Sequence, residues 1–259
     1  MGLMSLFGKG PMSQAKIDKI AKLAANSFAQ PDVRMREMQR LFGDGSPAAL
    51  RGVLKRFSVN ASGHIADEDE KKWLEDRLVE EGEAALEPLG EYIATQEQLS
   101  YALRAYRRIA SNEATVAFFF EVLNRYGPED YRSNEAKLQI IWELATDLAN
   151  PRVLPGLIPF VLDHSDDVRW AVLDLIERAA NEGLLTAATQ TEVTARLGDI
   201  ILTDDNRPRI ERRAAELLCE RQWQVGGTAT ELPPLLTEDF FLDKKRFMRR
   251  RTRRKQTEG

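Results

Sequence analysis

Trp170, Asp174, Arg209, Arg212 and Arg213 are the residues of this chain whose types and spacing most resemble a site. Asp174 follows Trp170 by four positions, so on a helix the two share a face. Trp170 falls off the apolar stripe set by Val168, Val172 and Leu175. It is therefore either a contact residue on the polar face or packing against a neighbouring element. The three arginines lie on a later helix-patterned segment. An aromatic plate, a carboxylate and guanidinium groups on adjacent helices could grip a charged protein segment or a nucleic acid. Arg104 and Arg108 supply a second basic stripe: residues 97–110 carry three arginines against one glutamate, while residues 67–81 hold eight acids against three bases. These segments read either as solvated charged faces or as a groove matched to a charged partner.

Other chemistries find no residues. The two histidines, His64 and His164, stand far apart without a HExxH spacing and read as solvated loop residues. One cysteine, Cys219, allows neither a cysteine metal cluster nor a disulfide framework and fits a reducing compartment. In "FGKGPMS" the Gly-Lys is followed by glycine, so it is not a phosphate-binding loop. No cofactor or metal is expected. The opening residues read as neither a signal peptide nor a myristoylation site, and no apolar run approaches membrane-spanning length, so a cytoplasmic location is expected.

Charge is unevenly placed. Residues 244–255 hold nine basic residues and no acid; the remainder has 28 basic and 41 acidic residues, a net −13. Lys244, Lys245, Arg246, Arg249, Arg250, Arg251, Arg253, Arg254 and Lys255 are the candidate anchor. Thr237 is positioned to cap a short amphipathic helix with Phe240, Phe241, Phe247 and Met248 roughly on one side. The tail could fold back on the body, bind nucleic acid or bind anionic lipid; a charged end without specific role is the remaining reading.

The elements that must position these residues are helices. Val168, Ala171, Val172, Leu175, Ile176 and Ala179 repeat at helical spacing; Ser165 is placed to cap them, and Gly183 to end them. Leu99, Ala102, Leu103, Tyr106 and Ala110 follow the template, as do Leu138, Ile141, Trp142, Ala145 and Leu148, which places Trp142 in the core. Ile210, Ala214, Leu217 and Leu218 follow it again. Trp223 follows the last helix and could cover its open end. Helices are expected over 14–28, 46–57, 83–94, 112–126, 151–163 and 186–203, alternating with 32–42, 67–81, 97–110, 133–149, 166–181 and 207–222. No strand is expected; "TVAFFFEVL" reads as a buried helix. Residues 1–13 read as a flexible start, 14–222 as one helical domain and 223–259 as a Gly-Gly linker with a basic tail.

"DHSDDVRWAVLDLIERAANEG" (163–183) is echoed by "QPDVRMREMQRLFGDG" (30–45) and "DDNRPRIERRAAELLCE" (204–220). The unit at 150–179, a proline-containing first helix, an Asp-rich turn, then Val-Arg and a second helix, resembles a HEAT repeat. The resemblance is clear over about 150–222 and extends by helix pattern over 14–149. It implies an all-α α-α superhelix of about six antiparallel helix pairs, with second helices lining the concave side. It further implies a non-enzymatic adaptor or scaffold that binds an unidentified protein segment, with the tail as electrostatic anchor. Trp170, Asp174 and the later arginines are also similar, by residue type, to the cleft of HEAT-like alkylpurine DNA glycosylases, in which the aromatic contacts DNA and the Asp assists base–sugar cleavage. Some HEAT-like proteins are similar to phycobilin lyases, but no residue here singles out a bilin site.

Overall fold

A computed structural model describes residues 11–202, 207–226 and 231–251. They are mostly helical, as the patterning requires, and divide into two compact units, 1–122 and 123–259.

In the first unit α1 is Gln14–Ala24, α2 Pro31–Asp44, α3 Pro47–Leu54, α4 His64–Glu81, α5 Leu86–Thr95 and α6 Ser100–Ile109; α7 is Asn112–Tyr126. Single 3₁₀ segments extend α3 through Ser58 and lead into α5 from Gly82. Prolines open α2 and α3, where the missing N–H has no intrahelical partner to lose. Ser46 caps α3 by accepting the Ala49 N–H at 3.3 Å. Among consecutive helices α1 packs on α2, α2 on α3 and α5 on α6, and alternate ones pack too: α1 on α3, α3 on α5, α2 on α4 and α4 on α6. The core they share includes Met38, Leu41, Val53, Leu74, Leu78, Leu89, Ile93 and Leu103, all fully buried. Each such side chain contributes roughly 1.5–3 kcal/mol relative to exposure.

In the second unit α8 is Asn134–Leu144, α9 Val153–Leu157 with a 3₁₀ continuation to Leu162, α10 Asp166–Asn181, α11 Ala187–Leu202 and α12 Pro208–Glu220. The stripe read on α10 is buried in full, and Gly183 stops the helix at φ +69°, a left-handed conformation that a side chain disfavours. Ser165 holds the extended N-cap backbone but makes no side-chain cap; the Asp163 carboxylate instead accepts its N–H at 2.8 Å.

Trp142 is a correction: it is 49% exposed, not core. The inner face of α8 is Ala136, Lys137, Ile140, Ile141 and Leu144. Lys137 is wholly buried because its ammonium pairs with the buried Asp163 at 2.6 Å and donates to the Asp130 carbonyl at 2.6 Å. Seating position 137 inward turns the helix so that Trp142 points out and Leu138 is only half buried.

The tail is a second correction. Beyond a one-turn helix α13 (Pro234–Thr237), β1 (Phe240–Leu242) and β2 (Met248–Arg250) form an antiparallel hairpin with Phe240 opposite Arg250 and Leu242 opposite Met248. Thr237 ends α13 rather than capping a helix, donating to the Pro234 carbonyl at 2.7 Å. The hairpin wins because Asp243 closes the turn: its carboxylate accepts the N–H groups of Lys245 and Phe247, both at 2.9 Å. Phe240 and Met248 then face inward and, with Leu236, are buried where α13 and β2 pack on α12. Trp223 is buried too. Gly226, expected as linker, approaches α11 so closely that a Cβ on it would stand 2.8 Å from the Ala195 Cα.

Candidate functional site

The two Val-Arg echoes have one local purpose. Arg169 is buried and donates from Nε to the Asp163 carbonyl and from Nη2 to the Leu162 carbonyl, across the turn that precedes its helix. Arg34 does the same to the Ala29 carbonyl. Each guanidinium thereby satisfies carbonyls left open before the turn and sets the rotation of the helix it starts. In the third copy Glu211 stands in place of the arginine and accepts the Arg207 N–H at 2.8 Å.

With Arg169 turned inward, Trp170 lies half exposed on the other side of α10. The guanidinium carbon of Arg209 sits 4.2 Å from its ring centre and that of Arg213 5.7 Å. Arg213 also donates to Asp174 at 3.1 Å and to Glu177. Arg221 continues the row, donating to Asn181 and standing 3.9 Å from Glu177. Positions 170, 174, 177 and 181 of α10 thus meet 209 and 213 of α12, and Arg221 at its C-cap, in a ladder of cation–π, ionic and hydrogen-bonded rungs. Burial disfavours the charged Arg213 side chain, but Glu177 and Asp174 outweigh it and hold its pKa above the ordinary arginine value. A stacked, partly desolvated guanidinium contributes about 0.5–2 kcal/mol, so the face is held in one arrangement.

Arg212 is not part of this ladder. It donates to Asp239 at 2.6 Å and ties α12 to the tail. Arg104 and Arg108 form a separate group in the first unit. Both pair with the buried Glu75, at 3.1 and 3.0 Å, and Arg108 also reaches Asp76 at 2.6 Å. Glu75 and Asp76 of the acidic α4 thus meet Arg104 and Arg108 of the basic α6 across the contact of the two helices. Asp76 first, then Glu75, raise the Arg108 pKa.

The tail cations divide by role. Arg246 donates to the carbonyls of Val225 and Gly226, at 3.1 and 2.8 Å. Arg249 pairs with Asp243 at 3.1 Å, and Arg251 donates to the Phe240 carbonyl at 3.2 Å. Arg250 is exposed, with Glu216 and Glu220 at 4.0 and 3.9 Å. Lys244 and Lys245 are exposed at the turn. Arg253, Arg254 and Lys255 lie outside the described residues.

A buried charge cluster in the first unit escaped the sequence reading. Arg34 and Arg56 converge on Glu70, at 2.7 and 3.0 Å, and Arg56 and Lys71 on Asp67. The Ala61 N–H also reaches Asp67, at 2.8 Å, and Lys71 reaches Asn60 at 2.7 Å, so the cluster fastens the 59–63 loop. Burial pushes the Asp67 carboxyl up, but its bonds from Lys71, Ala61 and Arg56 prevail and bring its pKa down to about 2. The available signal was Arg34 in its Val-Arg echo and Asp67, Glu70 and Lys71 on one face of α4; nothing in one sequence marks that face as internal.

Two cavities of ≈640 and ≈490 Å³ adjoin in the first unit, sharing Ala25 and Val59 in their walls. No group of three or more His, Cys, Asp or Glu side chains among the described residues is arranged to hold a metal ion, and no described helix is long and apolar enough to cross a membrane. No family model matches this chain, and neither a curated protein nor a solved structure is found to be similar to it.

Proposed function

We propose that the protein is a non-enzymatic interaction adaptor built as a HEAT-like superhelix, and that the α10–α12 face grips a segment of a partner protein. The observation that carries this reading is the ladder itself. Trp170, Arg209, Arg213 and Asp174 are held by one another before any partner arrives, so little ordering cost attends binding. Aromatic and arginine side chains are the types that dominate binding energy at interfaces. The packing of alternate helices on one another within the first unit, and of α8 on α10 and α10 on α12 in the second, supports the repeat architecture. Lys244, Lys245 and Arg250 on the hairpin are the proposed polyanion anchor.

The test is a photo-crosslinking residue placed at position 170 or 174 in cells. A discrete protein adduct is expected, reduced by Arg209→Glu; crosslinks to nucleic acid alone would overturn the reading. The co-location of Trp170, Asp174 and two arginines favours one alternative, a nucleic-acid-associated protein of the alkylpurine DNA glycosylase type. Release of 7-methylguanine from alkylated DNA by the full chain, lost in Asp174→Asn, would establish it. Asp174 is engaged by Arg213 and the Trp170 ring is covered by Arg209, which favours the adaptor.

A further inference from the structure

The twin cavities of the first unit differ from every other charged surface described above. Their walls are largely apolar: Leu54, Pro88 and Tyr92 in the larger, Leu23 and Phe28 in the smaller, with Ala25 and Val59 common to both. Phe28 is 95% exposed, yet it is not on a loose strand of chain. Asn26 organises the turn, its side-chain oxygen accepting the Phe28 N–H at 3.0 Å and its carbonyl the Ala29 N–H at 3.1 Å. The backbone that carries this exposed aromatic is thus fixed at the mouth of an apolar recess. Such a patch at a monomer surface marks a contact site.

The charges at the rim point to the occupant. Lys19 and Lys22 line the smaller cavity and Lys55 the larger. All three are exposed, and none makes an ion pair or side-chain hydrogen bond among the described residues. Several arginines elsewhere are matched: Arg104 and Arg108 by Glu75, Arg213 by Asp174 and Glu177, Arg212 by Asp239. In the larger cavity Arg51, one turn before Lys55, is already neutralised by Glu87 and Glu91. The only acid on α1, Asp18, accepts from Gln14 at 2.9 Å. The two cavities therefore combine a largely apolar lining with unmatched ammonium groups, Lys19 and Lys22 at the smaller and Lys55 at the larger.

We infer that the groove formed by the α1 C-terminus, the 25–29 turn and the α3–α5 wall binds an acidic peptide segment of a partner protein. Its aliphatic or aromatic side chains would fill the two cavities, and its carboxylates would meet Lys19, Lys22 and Lys55. Cavities of this size accept several large side chains, which a flat bilayer surface would leave unfilled. Complementary charge at fixed positions beside the two cavities fixes register. The inference goes beyond the α10–α12 reading and stands without it.

The experiment is panning of a random twelve-residue peptide library on the full chain, with Lys19→Glu/Lys22→Glu, Phe28→Ala and Trp170→Ala forms alongside. All of the substituted side chains lie at least partly exposed, and circular dichroism checks that each form folds. Recovered peptides are expected to be enriched in Asp and Glu together with Leu, Phe or Trp. Their affinity should fall about tenfold or more with Lys19→Glu/Lys22→Glu, fall also with Phe28→Ala, and persist with Trp170→Ala. Recovery of no peptide, of peptides without acidic enrichment, or of peptides indifferent to the lysine substitutions would overturn the inference. Loss of binding only in Trp170→Ala would move the site to α10 and equally overturn it. Vesicles of phosphatidylserine and phosphatidylcholine form the last arm: lysine-dependent vesicle binding without peptide recovery would replace the peptide by a membrane surface.

Discussion

Asp67 shows how a single side chain in this protein is decided by its neighbours. Its folded pKa of about 2 lies below the ordinary 3.8. A depressed carboxylate stabilises the fold above its unfolded pKa, and that stability is lost as pH falls through the folded one. The contribution is therefore complete above about pH 4 and disappears as pH drops to about 2, on the order of 2 kcal/mol in all. Urea unfolding of the full chain should show this loss over that window. Asp67→Asn should remove it at pH 7 and flatten the acid limb. Asp67→Ala is expected to cost more, about 3–5 kcal/mol, because Arg56 and Lys71 remain buried with one partner fewer. The Lys137–Asp163 pair obeys the same logic. Lys137→Ala strands a buried carboxylate whose pKa burial already raises, and a loss of about 3–5 kcal/mol is expected in the same assay.

At the scale of elements, long amphipathic stretches were legible and polar burial was not. The expected helix over 166–181 coincides with α10, and that over 112–126 with α7, because regular apolar spacing leaves one inner face. The α8 stripe was misplaced by one position because a lysine reads as polar in any pattern, and only its distant partner Asp163 makes burial affordable. The tail's folding back was among the expected readings, but its helix was misread for a related reason: three-residue strands are too short for an alternation signal, and the hairpin depends on Asp243 hydrogen bonds and on contact with α12. In the candidate site Trp170, Asp174 and Arg213 were picked by type and spacing, whereas the grouping of Arg212 with them could not be judged without Asp239. The close contact of Gly226 with α11 gives the tail its own test. A Cβ at Gly198 would stand 2.9 Å from the Gly226 carbonyl oxygen. Gly198→Ala should therefore destabilise tail docking by about 1–3 kcal/mol. Limited proteolysis should then cut within 223–251 faster than in the parent, while far-ultraviolet circular dichroism of the helices changes little.

For the molecule as a whole, charge placement is the property that local packing does not explain. A net −4 conceals a body of −13 joined to nine basic residues within 244–255. If that basic run served only to hold the tail, its cations would be consumed internally, as those of Arg246, Arg249 and Arg251 are. Lys244 and Lys245 instead occupy the outer turn of the hairpin, and a docked hairpin presents them on a firm support. A polyanion bound there releases counterions in proportion to the phosphates neutralised, so affinity should fall steeply with salt. The full chain is expected to bind labelled duplex DNA with a negative slope of log affinity against log salt. Lys244→Gln/Lys245→Gln should reduce the magnitude of that slope by about 2 and leave thermal stability unchanged. Unlike a truncation at residue 235, this substitution keeps Phe240 and Met248 buried, so a changed slope reports the anchor and not a disrupted core. An unchanged slope would remove Lys244 and Lys245 from the anchor.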